Sequence, residues 1–249
     1  MQWEGGTYFL ITGYVIRKYS NIWITNFIES LDISDIKYSI YEIPESKLNR
    51  IEVFNYGGEI IEISNDEFAK IKAKNDYFIH SVSAKLKLFD NNIPIEILLT
   101  IHEDQTLTIS FWFEYLHIQD EEDLVKKKLK TEYIREFCLD FYSKDNFLYG
   151  FIGEEVSDIS LIDIQFKRLY FETTDSFFSK DILSHERVYE LLNIDLFRVN
   201  EIKGNSNELS GYFVTLGEHF HEHQNNLMIS KFEVFLRNLE KDLRDKYAR

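Results

Sequence analysis

The sequence predicts an α+β protein built on a largely antiparallel sheet with helices packed against it. Three observations predict it. Ile95, Ile97, Leu99 and Ile101 alternate with Glu96, Leu98, Thr100 and His102; beyond the polar turn Glu103-Asp104-Gln105, Leu107, Ile109, Phe111 and Phe113 alternate with Thr108, Ser110, Trp112 and Glu114. A period of two places each set on one face of a sheet, and a short turn makes the two strands antiparallel. Residues 78–88 alternate in the same way and turn into this pair through Asp90-Asn91-Asn92. Finally, Leu124, Val125, Leu129, Ile134, Phe137, Cys138 and Phe141, and later Met228, Phe232, Phe235, Leu236, Leu239 and Leu243, recur at helical spacing.

The elements follow in order. Residues 7–16, rich in Tyr, Phe, Ile and Val, read as a first strand entered through Gly5-Gly6, and Trp23, Phe27 and Leu31 space a short helix. Residues 36–43 alternate as a second strand that Pro44 stops. Tyr56-Gly57-Gly58 joins residues 51–54 and 59–63 as a hairpin. Ser64 and Glu67 form a capping box for a short helix through Phe68 and Ile71. In the next strand Phe78, His80, Val82, Ala84, Leu86 and Leu88 share the apolar face. The long helix is capped by Asp120, with Glu121, Glu122 and Asp123 complementing the positive end of its dipole. Residues 147–163, with Gly150 and Gly153 bracketing Phe151 and Ile152, read as a loop or linker. A strand at 166–171, a helix at 185–192, and strands at 195–202 and 209–216 about the turn Lys203-Gly204-Asn205-Ser206-Asn207 precede the final helix. The chain therefore divides into 1–163, a sheet core with the long helix 120–143, and 164–249, a strand-helix-hairpin-helix part of the same or a second domain.

The 249 residues carry 43 acidic and 28 basic side chains, a net charge of −15. Such a field opposes phosphate backbones and anionic lipid and favours encounter with a basic protein. One cysteine, Cys138, permits no intrachain disulfide, and its place on a helical stripe makes it a small buried hydrophobe rather than a nucleophile. The opening residues lack a basic secretory leader, and no apolar run reaches the roughly 18 to 20 residues that span a bilayer. The expected location is the cytoplasm, with no nucleic acid or membrane as partner.

No serine-nucleophile elbow, phosphate-cradling loop or dinucleotide fingerprint occurs, so no catalytic residue and no cofactor are assigned. Two constellations remain. In Glu218-His219-Phe220-His221-Glu222-His223, an extended backbone would align His219, His221 and His223 on one side, as zinc or another transition metal requires. The same histidines between carboxylates also suit a pH-sensitive patch. The second constellation is acidic and aromatic: Glu154, Glu155 and Asp158 after the glycine pair, and Trp112 beside Glu114 on the strand face opposite Phe111 and Phe113. If that face is uncovered, Trp112 is an anchor for a partner; if a helix covers it, Trp112 is core.

In overall organisation, and in the helix leading into Tyr149-Gly150-Phe151-Ile152-Gly153-Glu154-Glu155, the chain resembles bacterial polymorphic-toxin immunity proteins. The resemblance implies a non-enzymatic inhibitor that binds and blocks a cognate toxin domain, here a basic one. The alternative is a metal-binding protein or metal-dependent enzyme centred on the three histidines.

Overall fold

A computed structural model describes residues 8–15, 17, 19–42, 60–71, 77–88, 91–101, 107–114, 123–154, 173–192, 197–204, 206–217, 234–235, 237–239 and 241. Among the described residues ten strands form one antiparallel sheet: β1 (Tyr8–Val15), β2 (Ile33–Glu42), β3 (Ile60–Ser64), β4 (Tyr77–Leu88), β5 (Asn91–Ile101), β6 (Leu107–Glu114), β7 (Phe147–Glu154), β8 (Thr173–Ser179), β9 (Phe197–Lys203) and β10 (Leu209–Leu216). Their spatial order is β3-β2-β4-β5-β6-β1-β7-β8-β10-β9. Residues 33–114 supply five consecutive strands and residues 147–216 supply four, with β1 between them. The α+β architecture expected from the alternation is therefore present. β7 and β8, which lie on either side of residue 163, are hydrogen-bonded neighbours, so the sheet continues across that position.

Each face of the sheet carries its own apolar core. Phe9, Ile11, Val82, Ile95, Ile97, Ile109, Phe111 and Phe113 pack on one face beneath α1 (Asn21–Glu29), α2 (Asn65–Ile71) and α3 (Leu124–Ser143). Leu10, Tyr14, Tyr149, Phe151, Phe178, Tyr212 and Val214 pack on the other with Val188 and Leu191 of α4 (His185–Leu192) and with Phe235 and Leu239 of the last helical stretch. Local chemistry sets the helix starts. Ser20 accepts from the Trp23 amide to open α1. The capping box is complete before α2: Glu67 Oε2 accepts from the Ser64 amide at 2.9 Å, and Ser64 Oγ accepts from the Glu67 amide at 3.3 Å. Bonds to Ser64 hold the Glu67 carboxyl below its ordinary pKa.

Several expectations require correction. The N-cap of α3 is Asp123, whose side chain accepts from the Val125 amide at 2.8 Å, rather than Asp120. The buried face of α3 comprises Thr131, Ile134, Arg135, Phe137, Cys138, Phe141 and Tyr142, while Leu124, Val125 and Leu129 are exposed. Leu129 precedes Ile134 by five residues, about 140° around a helix of 3.6 residues per turn, and so belongs to another face. His80 does not share the face of Val82. The pairs Ile40↔Ile79 and Ser39↔Ser81 leave it as the extra residue of a bulge, half-buried and edge-on to Tyr41.

The largest correction concerns residues 147–154, expected as a loop. They form β7, an interior strand between β1 and β8. Gly150 is there for closeness, since a Cβ on it would collide with the Thr12 carbonyl and the Tyr142 hydroxyl. That hydroxyl donates to the same carbonyl at 2.6 Å and fastens α3 to the sheet. β8 was not expected either, because Thr173-Thr174-Asp175-Ser176 has no apolar alternation. The expected elements at 51–54 and 166–171 lie outside the described residues.

Candidate functional site

The register of the central strands assembles part of the acidic and aromatic constellation. β1 pairs with β6 as Tyr8↔Glu114 and Leu10↔Trp112, and with β7 as Phe9↔Glu154 and Leu10↔Gly153. Glu114 and Glu154 thus close the same end of the sheet on the two neighbours of β1. Their backbones lie about 10 Å apart at strand spacing, one residue out of step. Glu155 and Asp158 lie outside the described residues.

Trp112 resolves between its two expected states. Leu10, its cross-strand neighbour, belongs to the second core, and the indole packs against that core while remaining half-buried. It is neither a fully exposed anchor nor a sealed core residue. On its other side β5 pairs Glu96 with Trp112, which places the half-buried Glu96 next to the indole. Glu114, two residues on along the same face, is exposed. Trp112 therefore has a carboxylate across the strand and another along it.

Glu96 was not singled out from the sequence, although the signal was there. A hairpin turning about residue 104 must pair positions that sum to 208, and Glu96 with Trp112 does. Further along this face lies His80. Burial lowers its pKa below the ordinary 6.5, and the carboxylate of Glu96 opposes that lowering only in part. The face thus combines a neutral imidazole, acidic side chains and one large aromatic ring.

The chain matches no family model, no curated protein and no solved structure. Chemical reading of the site therefore rests on its own residues. His219, His221 and His223 lie outside the described residues, and among the described residues no group of three or more His, Cys, Asp or Glu could hold a metal ion. No helix in the described residues is long and apolar enough to cross a membrane.

One buried charged pair also escaped sequence reasoning. Arg135 of α3 donates from Nε to Asp175 Oδ2 at 2.8 Å and from Nη2 to Asp175 Oδ1 at 3.2 Å. It donates as well to the Gly217 carbonyl at 3.1 Å and to Glu132 at 3.0 Å. Burial disfavours the cation, but the bonds and charges of Asp175 and Glu132 outweigh it and hold the guanidinium pKa above its ordinary value. The pair ties α3 to β8 and to the end of β10 and has no substrate-accessible surface, since Asp175 is fully buried. Cys138, one turn further along, is buried as expected, and its burial pushes the thiol pKa up, which removes thiolate nucleophilicity.

Proposed function

We propose that this chain is a non-enzymatic acidic binding protein that captures a basic protein partner, a toxin domain in the sense implied by its resemblance to immunity proteins. One observation carries the reading. In a chain of net charge −15, β5 and β6 set Glu96 and Glu114 about Trp112 on one face, and β1 brings Glu154 of β7 to the same end of the sheet, in register with Phe9 rather than with Trp112. Acidic groups around a partly buried indole suit a basic protein surface. The distributed charge accelerates encounter, and the aromatic ring supplies contact area that slows escape.

The test is co-purification with the product of the adjacent gene, followed by association kinetics at two salt concentrations. Glu114→Lys together with Glu154→Lys slows association and flattens its salt dependence, because exposed charges are screened beyond about 8 Å at physiological ionic strength. Trp112→Ala raises the dissociation rate by about 30-fold, the equivalent of a 2 kcal/mol anchor. Circular dichroism confirms that each variant is folded at the assay temperature. A neighbouring product that is neither toxic nor bound refutes the reading. So does a tight complex whose kinetics ignore all three substitutions.

A further inference from the structure

Residues 60–71 form one continuous piece at the outer edge of the sheet: β3 ends at Ser64 and α2 begins at Asn65. The capping box of Ser64 and Glu67 spans the junction, and Ser64 Oγ also donates to Glu67 Oε2 at 2.7 Å, so strand and helix are fixed to each other. Their attachment to the rest of the protein is slight. Of these residues only Phe68 is buried; Ile63 and Ile71 are half-buried and the others are exposed. β3 pairs with β2 from Lys37↔Ser64 to Tyr41↔Ile60. The ion pair of Lys37 and Glu62 across that ladder leaves 57% of each side chain exposed and adds little.

The one buried anchor is a stack of rings. Phe68 lies flat on Tyr38 of β2, with ring centroids 3.9 Å apart and planes 17° apart, and edge-on to Tyr77 of β4 at 5.5 Å. Tyr38 and Phe68 are both fully buried, and the Tyr38 hydroxyl has no hydrogen-bond partner. Burial first, then the charge of Glu29 and the neighbouring Tyr77, push its pKa up. The phenol therefore keeps its proton, and with it a donor that is paired with nothing. A buried hydroxyl in this state costs free energy that hydration would recover. The stack that holds this piece down thus carries a penalty that release removes.

We propose that residues 60–71 are a flap that opens as one unit from the edge of the sheet while the other strands stay folded, and that the unpartnered Tyr38 hydroxyl favours opening. Segments that open separately from the whole are those with few buried apolar side chains, and this one has a single one. β2 itself stays anchored, since its other side pairs with β4 from Ile33↔Leu86 to Glu42↔Tyr77. Lifting Phe68 uncovers the Tyr38 ring and gives its hydroxyl water. It also unpairs the outer side of β2 from Lys37 to Tyr41, because β3 is the only described strand there. β2, β4 and β5 lie between the flap and Trp112 of β6, so the flap does not depend on the partner proposed above.

The experiment is native-state hydrogen exchange of the full chain, labelled with nitrogen-15, at increasing sub-denaturing urea. The protected amides of residues 60–71 exchange with one common free energy and urea dependence, both smaller than those of β5 and β6. Tyr38→Phe removes the unpaired hydroxyl and slows exchange of the flap by about tenfold. Ile109→Val, at a fully buried site on β6, speeds exchange across β5 and β6 about fivefold and leaves residues 60–71 unchanged. Three outcomes overturn the assignment. Amides of residues 60–71 that lack protection or share no common free energy form no closed unit. A flap that responds to Ile109→Val along with the core is released only by global unfolding. Exchange that Tyr38→Phe leaves unchanged or faster removes the role of the hydroxyl.

Discussion

Replacing Arg135 by Met keeps most of the apolar stem of the side chain while deleting the guanidinium. Asp175, at 0% exposure, would then lose both hydrogen bonds and its counter-charge together. Removing one partner of a buried pair costs about 3 to 5 kcal/mol, because the remaining charge stays desolvated. Against the 5 to 15 kcal/mol that typically separates folded from unfolded chains, this is about a fifth of the total or more. Asp175→Asn leaves Arg135, 5% exposed, with the exposed Glu132 as its remaining counter-charge and Gly217 as an acceptor, and so falls at the lower end of the same range. The double variant Arg135→Met, Asp175→Leu leaves no buried ion, so its loss is smaller than the sum of the singles, and a double-mutant cycle isolates the coupling. Urea denaturation followed by tryptophan fluorescence reads all four stabilities. Single losses below about 1 kcal/mol, or a double variant equal to the sum of the singles, would refute the claim that this pair clamps α3 to β8.

Two further outcomes follow from the packing and from His80. Gly150→Ala pushes a methyl group into the Thr12 carbonyl and the Tyr142 hydroxyl, so it destabilises by about 1 to 3 kcal/mol in the same assay; Gly204→Ala, whose Cβ meets nothing closer than 3.9 Å, does so far less. The folded pKa of His80 lies below 6.5, so the unfolded state takes up its proton first on acidification. Stability is therefore full above about pH 6.5 and falls as pH drops toward the folded pKa, and His80→Gln flattens that part of the curve.

Where one residue type answers to one local geometry, the sequence could be read directly. Ser64 and Glu67 specify a helix start by their spacing alone, and the chain between them and their amides is too short for anything distant to intervene. The Ile95–Phe113 hairpin declared its faces and, through its turn, its register, which put Trp112 beside Glu114 and also beside Glu96. What stayed hidden depends on partners far along the chain. Gly150 looks like loop punctuation until Tyr142 and Thr12 are seen against it. Asp175 argues against a buried strand until Arg135, 40 residues earlier, supplies its counter-charge. His80 follows the alternation of its strand, and only the pairing with β2 exposes the bulge.

The position of β1 sets the order in which this protein can be built. Its eight residues leave the ribosome before either neighbour has been synthesised: β6 arrives about a hundred residues later, and β7 begins at residue 147. Residues 33–114 can pair among themselves as they emerge, but their last strand presents a bare edge until β1 returns to it. The same holds for β7 from the other side. β1 is thus made before the other nine described strands and is the one that seals the seam. Contacts this distant in sequence impose a large loop-closure cost before they stabilise anything, which slows the final step. During that interval both half-sheets hold open, strand-hungry edges. The vulnerable species in the life of this molecule is therefore one in which β7 has been made and β1 has not yet docked.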